Sequence, residues 1–199
     1  KFQVEKVMIL DNEKNKIEDI ENLAWNNINK KILDFLGINI STKSIFIINS
    51  QNLVKDILNN FPNVEEVKIE KKLPNNITLK IKERKPFAVF CQNDESCFFI
   101  DDNGVIFENA QSSLSDTILK KELEDREIYL GENIIEKNVM DIISKIKYEL
   151  RDNFQIDIQE VLISNPLIFK TSLGWNIYFN PESEIDLQIT KMNILLRDE

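Results

Sequence analysis

Residues 64–107 read VEEVKIEKKLPNNITLKIKERKPFAVFCQNDESCFFIDDNGVIF, and the reading of this stretch decides the fold. Val67 and Ile69, then Ile77, Leu79 and Ile81, alternate with polar neighbours, the period of strands with one buried face. Leu73-Pro74-Asn75-Asn76 between them is built from residues that favour a reversal. After Glu83-Arg84-Lys85-Pro86 the pattern resumes as Phe87–Cys91 and Cys97–Ile100. A two-residue Asn103-Gly104 loop then returns the chain through Val105–Phe107, because Asn-Gly supplies the left-handed backbone that the tightest hairpins need. Three antiparallel pairings are expected within this stretch.

Upstream, Phe2, Val4, Val7 and Ile9 mark a first strand that closes at Asp11-Asn12. From Ile17 the period lengthens. Ile20, Ala24, Ile28, Ile32 and Phe35 recur every three or four residues, which predicts one amphipathic helix of about five turns, stopped by Gly37. Ser44–Ile48 reads as a short buried segment. Ser50 then caps a second helix that carries Leu53, Ile57 and Leu58 and ends at Phe61-Pro62. The order strand, helix, helix, strand, strand makes residues 1–84 a small α+β unit.

Downstream, Ser112–Glu127 is polar and shows no period, and Ile128–Leu130 reads as a short strand ending at Gly131. Ile135, Val139, Ile142, Ile143, Ile146 and Leu150 share one helical face. Ile156–Ile163, Leu167–Thr171 and Trp175–Phe179 predict an antiparallel meander that turns at Asn165-Pro166 and Gly174. A last helix from near Ser183 presents Ile185, Ile189, Met192 and Leu196. Residues 85–199 are thus expected to form a mostly antiparallel sheet flanked by helices. Lys85-Pro86 is too short for a flexible linker, so the two units are expected to keep a fixed relation. Glu83, Arg84 and Pro86 are the candidates for fixing that joint. Pro86 has no amide donor and biases Lys85 towards extended backbone, which ends sheet pairing there.

Composition narrows the chemistry. Of 199 residues, 42% are apolar and 30% charged, the make-up of a globular protein with ample core. The net charge of −9, with no Lys/Arg run interleaved with aromatics, opposes binding along nucleic-acid phosphates. There is no His, hence neither the commonest general base nor the commonest metal ligand. No phosphate-cradling glycine array or G-x-S-x-G elbow occurs, and the two thiols lack the partners that a zinc site requires. Asp101-Asp102-Asn103-Gly104 shares the acidic start of a calcium loop but lacks the later ligands, and it lies where a hairpin must turn. The expectation is a non-enzyme with no cofactor, metal or small-molecule substrate. Cys91 and Cys97 face each other across a hairpin: a disulfide in an oxidising compartment, or two half-buried thiols in a reducing one. No apolar run reaches the length of a membrane helix. The chain opens at Lys1 without a Met, which leaves room for a signal peptide or an anchor helix upstream.

The motifs in order resemble the extracytoplasmic part of the bacterial division family FtsQ/DivIB. Phe2-Gln3-Val4-Glu5-Lys6-Val7 is similar to the family's opening strand after its membrane helix. Phe61-Pro62-Asn63-Val64 through Ile69, Leu73-Pro74-Asn75-Asn76-Ile77, and Ile81-Lys82-Glu83-Arg84-Lys85-Pro86-Phe87-Ala88 follow its central pattern. Phe99–Phe107 matches its D-x-x-G hairpin, and Gly174–Phe179 with the helix beyond looks like its late strand and helix. The resemblance implies a POTRA domain over 1–84 and the family's β domain over 85–199. It further implies a non-enzymatic scaffold, held in the cell membrane by a single helix upstream of Lys1, that binds FtsB and FtsL and helps regulate septal peptidoglycan synthesis.

Two departures stand out. The segment between the first strand and Phe46 is longer than usual, so the first helix is expected to be extended. Family members normally follow the last helix with one more strand, whereas this chain stops at Glu199. The family docks an extended FtsB segment on the sheet edge there. Carried over, this makes Trp175, Asn176, Ile177, Tyr178, Phe179 and Met192 the candidate partner-binding residues, although at least one of Trp175 and Tyr178 is expected to pack in the core instead. The competing reading is a POTRA-bearing component of outer-membrane protein export, which predicts tandem POTRA repeats or a barrel.

Overall fold

A computed structural model describes the chain except residues 1, 14, 16, 30, 36, 37, 42, 47, 93–95, 111–116, 123–126, 198 and 199, and describes 31–41 by their backbone alone. The chain divides into two compact units, Lys1–Arg84 and Lys85–Glu199.

The first unit runs β1 (Lys6–Leu10), α1 (Ile17–Ile28), β2 (Lys31–Phe35), β3 (Ile38–Ser41), α2 (Ser50–Asn60), β4 (Val64–Lys72) and β5 (Asn76–Glu83). Its three-stranded sheet has the order β1-β5-β4. β1 lies parallel to β5, with Val7 opposite Ile77 and Ile9 opposite Leu79. β4 lies antiparallel to β5, with Val67 opposite Ile81 and Ile69 opposite Leu79. The alternation read in 64–83 therefore sets the register, since a slip by one residue would turn every apolar side chain to the wrong face. Ile20, Ala24 and Ile28 of α1 and Leu53 and Ile57 of α2 close over Ile77, Leu79 and Ile81 to make one core.

Three expectations for this unit change. The helix from Ile17 ends at Ile28, and β2 and β3 pair antiparallel as a separate hairpin instead of extending it. Asn26, Asn27 and Asn29 are weak helix formers, while Ile32, Leu33 and Phe35, then Ile38 and Ile40, suit paired strands. The expected stop at Gly37 lies outside the described residues. The first strand begins at Lys6 rather than Phe2, and Gln3 makes an isolated bridge to Ser44. The cap of α2 is Asn49, whose carboxamide oxygen accepts from the amides of Gln51 and Asn52 at 3.1 and 3.2 Å; Ser50 is the first helical residue.

The second unit runs β6 (Ala88–Cys91), β7 (Cys97–Ile100), β8 (Ile106–Asn109), β9 (Ile118–Lys121), α3 (Lys137–Phe154), β10 (Ile158–Ile163), β11 (Leu167–Thr171), β12 (Asn176–Phe179) and α4 (Ile185–Arg197). Its seven strands form one sheet ordered β12-β11-β10-β9-β6-β7-β8. The hairpins β6–β7, β7–β8, β10–β11 and β11–β12 are antiparallel. β9 lies parallel to both β6 and β10 and so joins the two hairpin groups. Leu119 of β9 sits in the core with Phe90, Val161 and Phe169, under Met140, Ile143, Ile146 and Leu150 of α3 and Ile189 and Met192 of α4.

β9 comes out of the polar stretch that gave no sequence signal, whereas Ile128–Leu130, expected as a strand, forms none. β9 is four residues long with one fully buried side chain, Leu119, and so leaves no alternation to read. The Asn103-Gly104 turn is also one residue longer than expected. The Asp101 amide donates to the Val105 carbonyl at 3.0 Å and the Gly104 amide to the Asp101 carbonyl at 3.1 Å, enclosing Asp102-Asn103-Gly104. Gly104 alone of the three takes a positive φ, 81°, the three-residue hairpin geometry. The Asp101 carboxylate holds it by accepting from the amides of Asn103 and Val105 at 3.0 and 2.9 Å. That is a turn's chemistry, with the carboxylate satisfied by the backbone.

Candidate functional site

The seven-stranded sheet has two edges, and they differ. At β8 the edge is covered where the strand begins. The Ile106 amide donates to the Glu132 carbonyl at 3.0 Å, the Gly131 amide donates to the Ile106 carbonyl at 2.7 Å, and Val105 bridges to Asn133. At β12 no further strand lies alongside among the described residues.

The Thr171-Ser172-Leu173-Gly174-Trp175 turn that leads into β12 repeats the geometry of Asp101–Val105. The Thr171 amide donates to the Trp175 carbonyl at 3.0 Å and the Gly174 amide to the Thr171 carbonyl at 3.1 Å. The Thr171 hydroxyl accepts from the Trp175 amide at 3.2 Å, the role that the Asp101 carboxylate plays in the other turn. Pairs alternate between bonded and non-bonded along an antiparallel ladder. From this closure, Ile177 and Phe179 bond inward to Phe169 and Leu167, and the backbone N–H and C=O of Asn176 and Tyr178 point out of the sheet.

Side chains on this edge divide by face. Phe179, 1% exposed, stands edge-on to Phe169 with ring centroids 5.5 Å apart, and Ile177 packs on the same core. Met192 is also a core side chain, so it and Phe179 hold the edge from behind rather than presenting themselves to a partner. On the other face Tyr178 is 58% exposed; Trp175, which precedes the strand, is 40% exposed. Tyr178 lies opposite Ile168, and Ile168 opposite Leu162, so three half-exposed apolar side chains run inward from the edge in one row. The next row is polar: Asn176 opposite Lys170, and Lys170 opposite Glu160.

Glu160 is held between Lys170 at 2.6 Å and Lys120 at 3.0 Å. Burial pushes its carboxyl up, but the hydrogen bonds and charges of the two lysines outweigh that and leave it below the ordinary glutamate range. No sequence pattern signals this trio, nor Ile168 and Leu162 as part of the edge. Strand order, which puts β9 beside β10, is what assembles them.

Cys91 and Cys97 face each other directly on β6 and β7, and their sulfurs are bonded. Glu83 ties down the loop before α1 by accepting from the Glu13 amide at 3.1 Å and the Asn15 carboxamide at 3.3 Å. Arg84 donates from Nε to the Pro62 carbonyl at 3.0 Å, and its amide to the Asn63 carbonyl at 2.8 Å. Pro86 is exposed between β5 and β6. Among the described residues no group of carboxylates and thiols is placed to hold a metal, and no helix is long and apolar enough to cross a membrane.

The first unit also has an outer strand, β4, beside a groove of about 420 Å³ floored by Val54, Leu58 and Ile69. β4 carries Glu65, Glu66, Lys68, Glu70, Lys71 and Lys72, the charges by which proteins blunt an edge against pairing. β12 reads Asn-Ile-Tyr-Phe and carries none. Charge thus separates a protected edge from a receptive one.

The family described as "POTRA domain, FtsQ-type" matches residues 26–84. Curated relatives are named cell division protein DivIB. That of Clostridium tetani is 28% identical over 163 residues, covering 78% of this chain and 60% of its own length. That of Clostridium botulinum strain Hall is 28% identical over 195 residues, 92% of this chain and 73% of the relative. That of Clostridium acetobutylicum is 36% identical over 97 residues, 48% of this chain. The chain therefore spans about three fifths of the Clostridium tetani protein.

Proposed function

We propose that this member of the FtsQ/DivIB family is a non-enzymatic scaffold of the cell division machinery that captures an extended segment of a partner on the open edge of β12. The POTRA match and the DivIB relatives support the division role. The observation that carries the mechanism is the contrast between the two ends of one sheet: β8 covered where it begins, β12 uncharged and without a neighbouring strand among the described residues. A strand laid against β12 would satisfy the outward N–H and C=O of Asn176 and Tyr178, and alternate side chains would read the two faces. One face of the added strand continues the Tyr178–Ile168–Leu162 row and calls for an apolar or aromatic side chain. The partners are the divisome proteins FtsB and FtsL, the chain is held at the membrane by a helix upstream of Lys1, and the assembly regulates septal peptidoglycan synthesis. Glu83 and Arg84 tie the end of β5 to its own unit.

The test is photocrosslinking in dividing cells, with the photoreactive residue placed in the full-length protein at Tyr178 or, as a control, at Glu108 on β8. Crosslinks to FtsB- or FtsL-like coiled-coil proteins from position 178 and none from 108 are the expected result. Unfolded outer-membrane precursors at position 178, or no division protein there, would refute the reading and favour an export role.

A further inference from the structure

One end of the first unit gathers features that the core does not use. β1, β5 and the return from β4 meet there. The Phe2 carbonyl accepts from the Ile45 amide at 3.0 Å, the Glu5 amide donates to the Asn75 carbonyl at 2.9 Å, and the Lys71 ammonium donates to the Ile48 carbonyl at 3.0 Å. Phe2 and Phe46 stack edge to face with centroids 5.3 Å apart, yet remain 48% and 63% exposed. Leu73, in the turn between β4 and β5, is 61% exposed.

Around these three apolar side chains stand four exposed lysines, Lys6, Lys43, Lys71 and Lys72. The Lys43 ammonium lies 5.8 Å from the centre of the half-buried Trp25 ring. The β2–β3 hairpin springs from the same end, between Asn29, bonded to the last turn of α1, and Lys43, bonded to Val4. It is a two-stranded sheet of its own, with Ile32, Leu33, Phe35, Ile38 and Ile40 in its sequence. A hairpin of that kind is marginal in water without a surface to lie on.

We propose that this end of the first unit rests on an anionic phospholipid surface, with Phe2, Phe46 and Leu73 seated among the headgroups and the lysines on the lipid phosphates. The choice of a membrane as occupant rests on the membrane location argued above; the choice of anionic lipid rests on charge. The chain as a whole carries −9, which a phosphatidylglycerol surface would repel. Fields from exposed charges fade within about 10 Å at ordinary salt, so the nearest groups decide. Here the nearest groups are the lysines. Two carboxylates stand beside them: the exposed Glu5, which accepts from the Asn75 carboxamide at 2.6 Å, and the half-exposed Glu70 near Lys72, which is paired with Lys80 at 2.5 Å; the hairpin sequence adds Asp34. Aromatic rings with adjacent lysines are the composition found where proteins meet the polar layer of a bilayer.

The experiment is flotation of the 199-residue chain with vesicles, either of phosphatidylglycerol and phosphatidylcholine in equal parts or of phosphatidylcholine alone. The chain is expected to float with the anionic vesicles and to stay behind with the neutral ones. Phe2→Ser/Phe46→Ser/Leu73→Ser should lower the bound fraction at least about tenfold, and each of Lys43→Ala and Lys72→Ala about fivefold. All five side chains are exposed, so thermal melts of these variants should match the parent and separate lost binding from lost fold. No flotation with anionic vesicles, equal flotation with neutral ones, or binding indifferent to the triple variant would each overturn the proposal. Vesicle binding and capture of a division partner are read on different units, so failure of one is not mistaken for failure of the other.

Discussion

Two turns of the same geometry, one packed and one free, allow a contact to be weighed against a backbone preference. Gly104 and Gly174 have φ of 81° and 82°. At Gly174 a Cβ would meet nothing within 4 Å, whereas at Gly104 it would come to 1.8 Å from the Ile135 carbonyl oxygen and 2.8 Å from its carbon. Alanine at either position carries the left-handed penalty of about 1–2 kcal/mol. At Gly104 the Ile135 backbone must also retreat by more than about 1 Å to reach an ordinary contact. That segment is anchored by the amides of Ile134 and Ile135, which donate to the Gly104 carbonyl at 2.9 and 3.4 Å. Loosening both removes about 2 kcal/mol, and partial withdrawal of the buried Ile134 and Ile135 side chains adds about 1 kcal/mol. Gly104→Ala should therefore cost about 4–5 kcal/mol and Gly174→Ala about 1–2 kcal/mol. Urea unfolding followed by fluorescence reads this, with Trp175 reporting on the second unit and Trp25 on the first. Equal costs within about 0.5 kcal/mol would refute the argument that the Ile135 contact holds the β8 edge shut.

Other consequences are open to the same measurements. Reducing the Cys91–Cys97 bond frees a loop of six-residue separation and should lower stability by about 2 kcal/mol, read as a shift of the urea midpoint with and without reductant. Glu160 has a folded-state pKa below the ordinary value, so its contribution is present above that value, about 4.3, and is lost as pH falls through the depressed one. Glu160→Gln should flatten that loss; an unchanged slope of stability against pH below about 4.3 would refute it. Tyr178→Ala should leave stability within about 0.5 kcal/mol while abolishing partner capture, whereas Phe179→Ala, one residue on and buried against Phe169, should cost about 3–5 kcal/mol. Asn49→Ala should cost about 1 kcal/mol through loss of the α2 cap, and Ser50→Ala much less.

The sequence was most legible where one face of a strand is buried and the other is wet. Ile77, Leu79 and Ile81 announce β5 because each apolar residue has a polar neighbour. β9 announces nothing, because only Leu119 of its four residues is fully buried and no apolar alternation is left to read. The length of α1 was misread for a related reason. Ile28, Ile32 and Phe35 fit a helical period, but Leu33 and Phe35, then Ile38 and Ile40, fit a strand alternation, and the asparagines at 26, 27 and 29 tip the balance. The candidate site was legible as a segment, Trp175–Phe179, though its two faces were not. Only the sheet order shows that Phe179 faces the core, that Tyr178 continues the Ile168–Leu162 row, and that β12 is the edge.

A sheet with one edge capped and the other open is a directional device. If both edges were open, a chain with Tyr178 and Leu162 near the surface could pair edge to edge with copies of itself and stack without limit. If both were closed, it could take no strand from a partner. Covering β8 with residues 131–133 costs a glycine in left-handed geometry at Gly131, φ 92°, and another at Gly104 so that the backbone can pass the Ile135 carbonyl. The matching turn before β12 has the same backbone, and a Cβ at its Gly174 would meet nothing within 4 Å. The fold thus uses one hairpin type twice, first to close an edge and then to leave one available. Loosening of the first would expose a competing edge, so Gly104→Ala should promote self-association at protein concentrations where Gly174→Ala remains monomeric by light scattering.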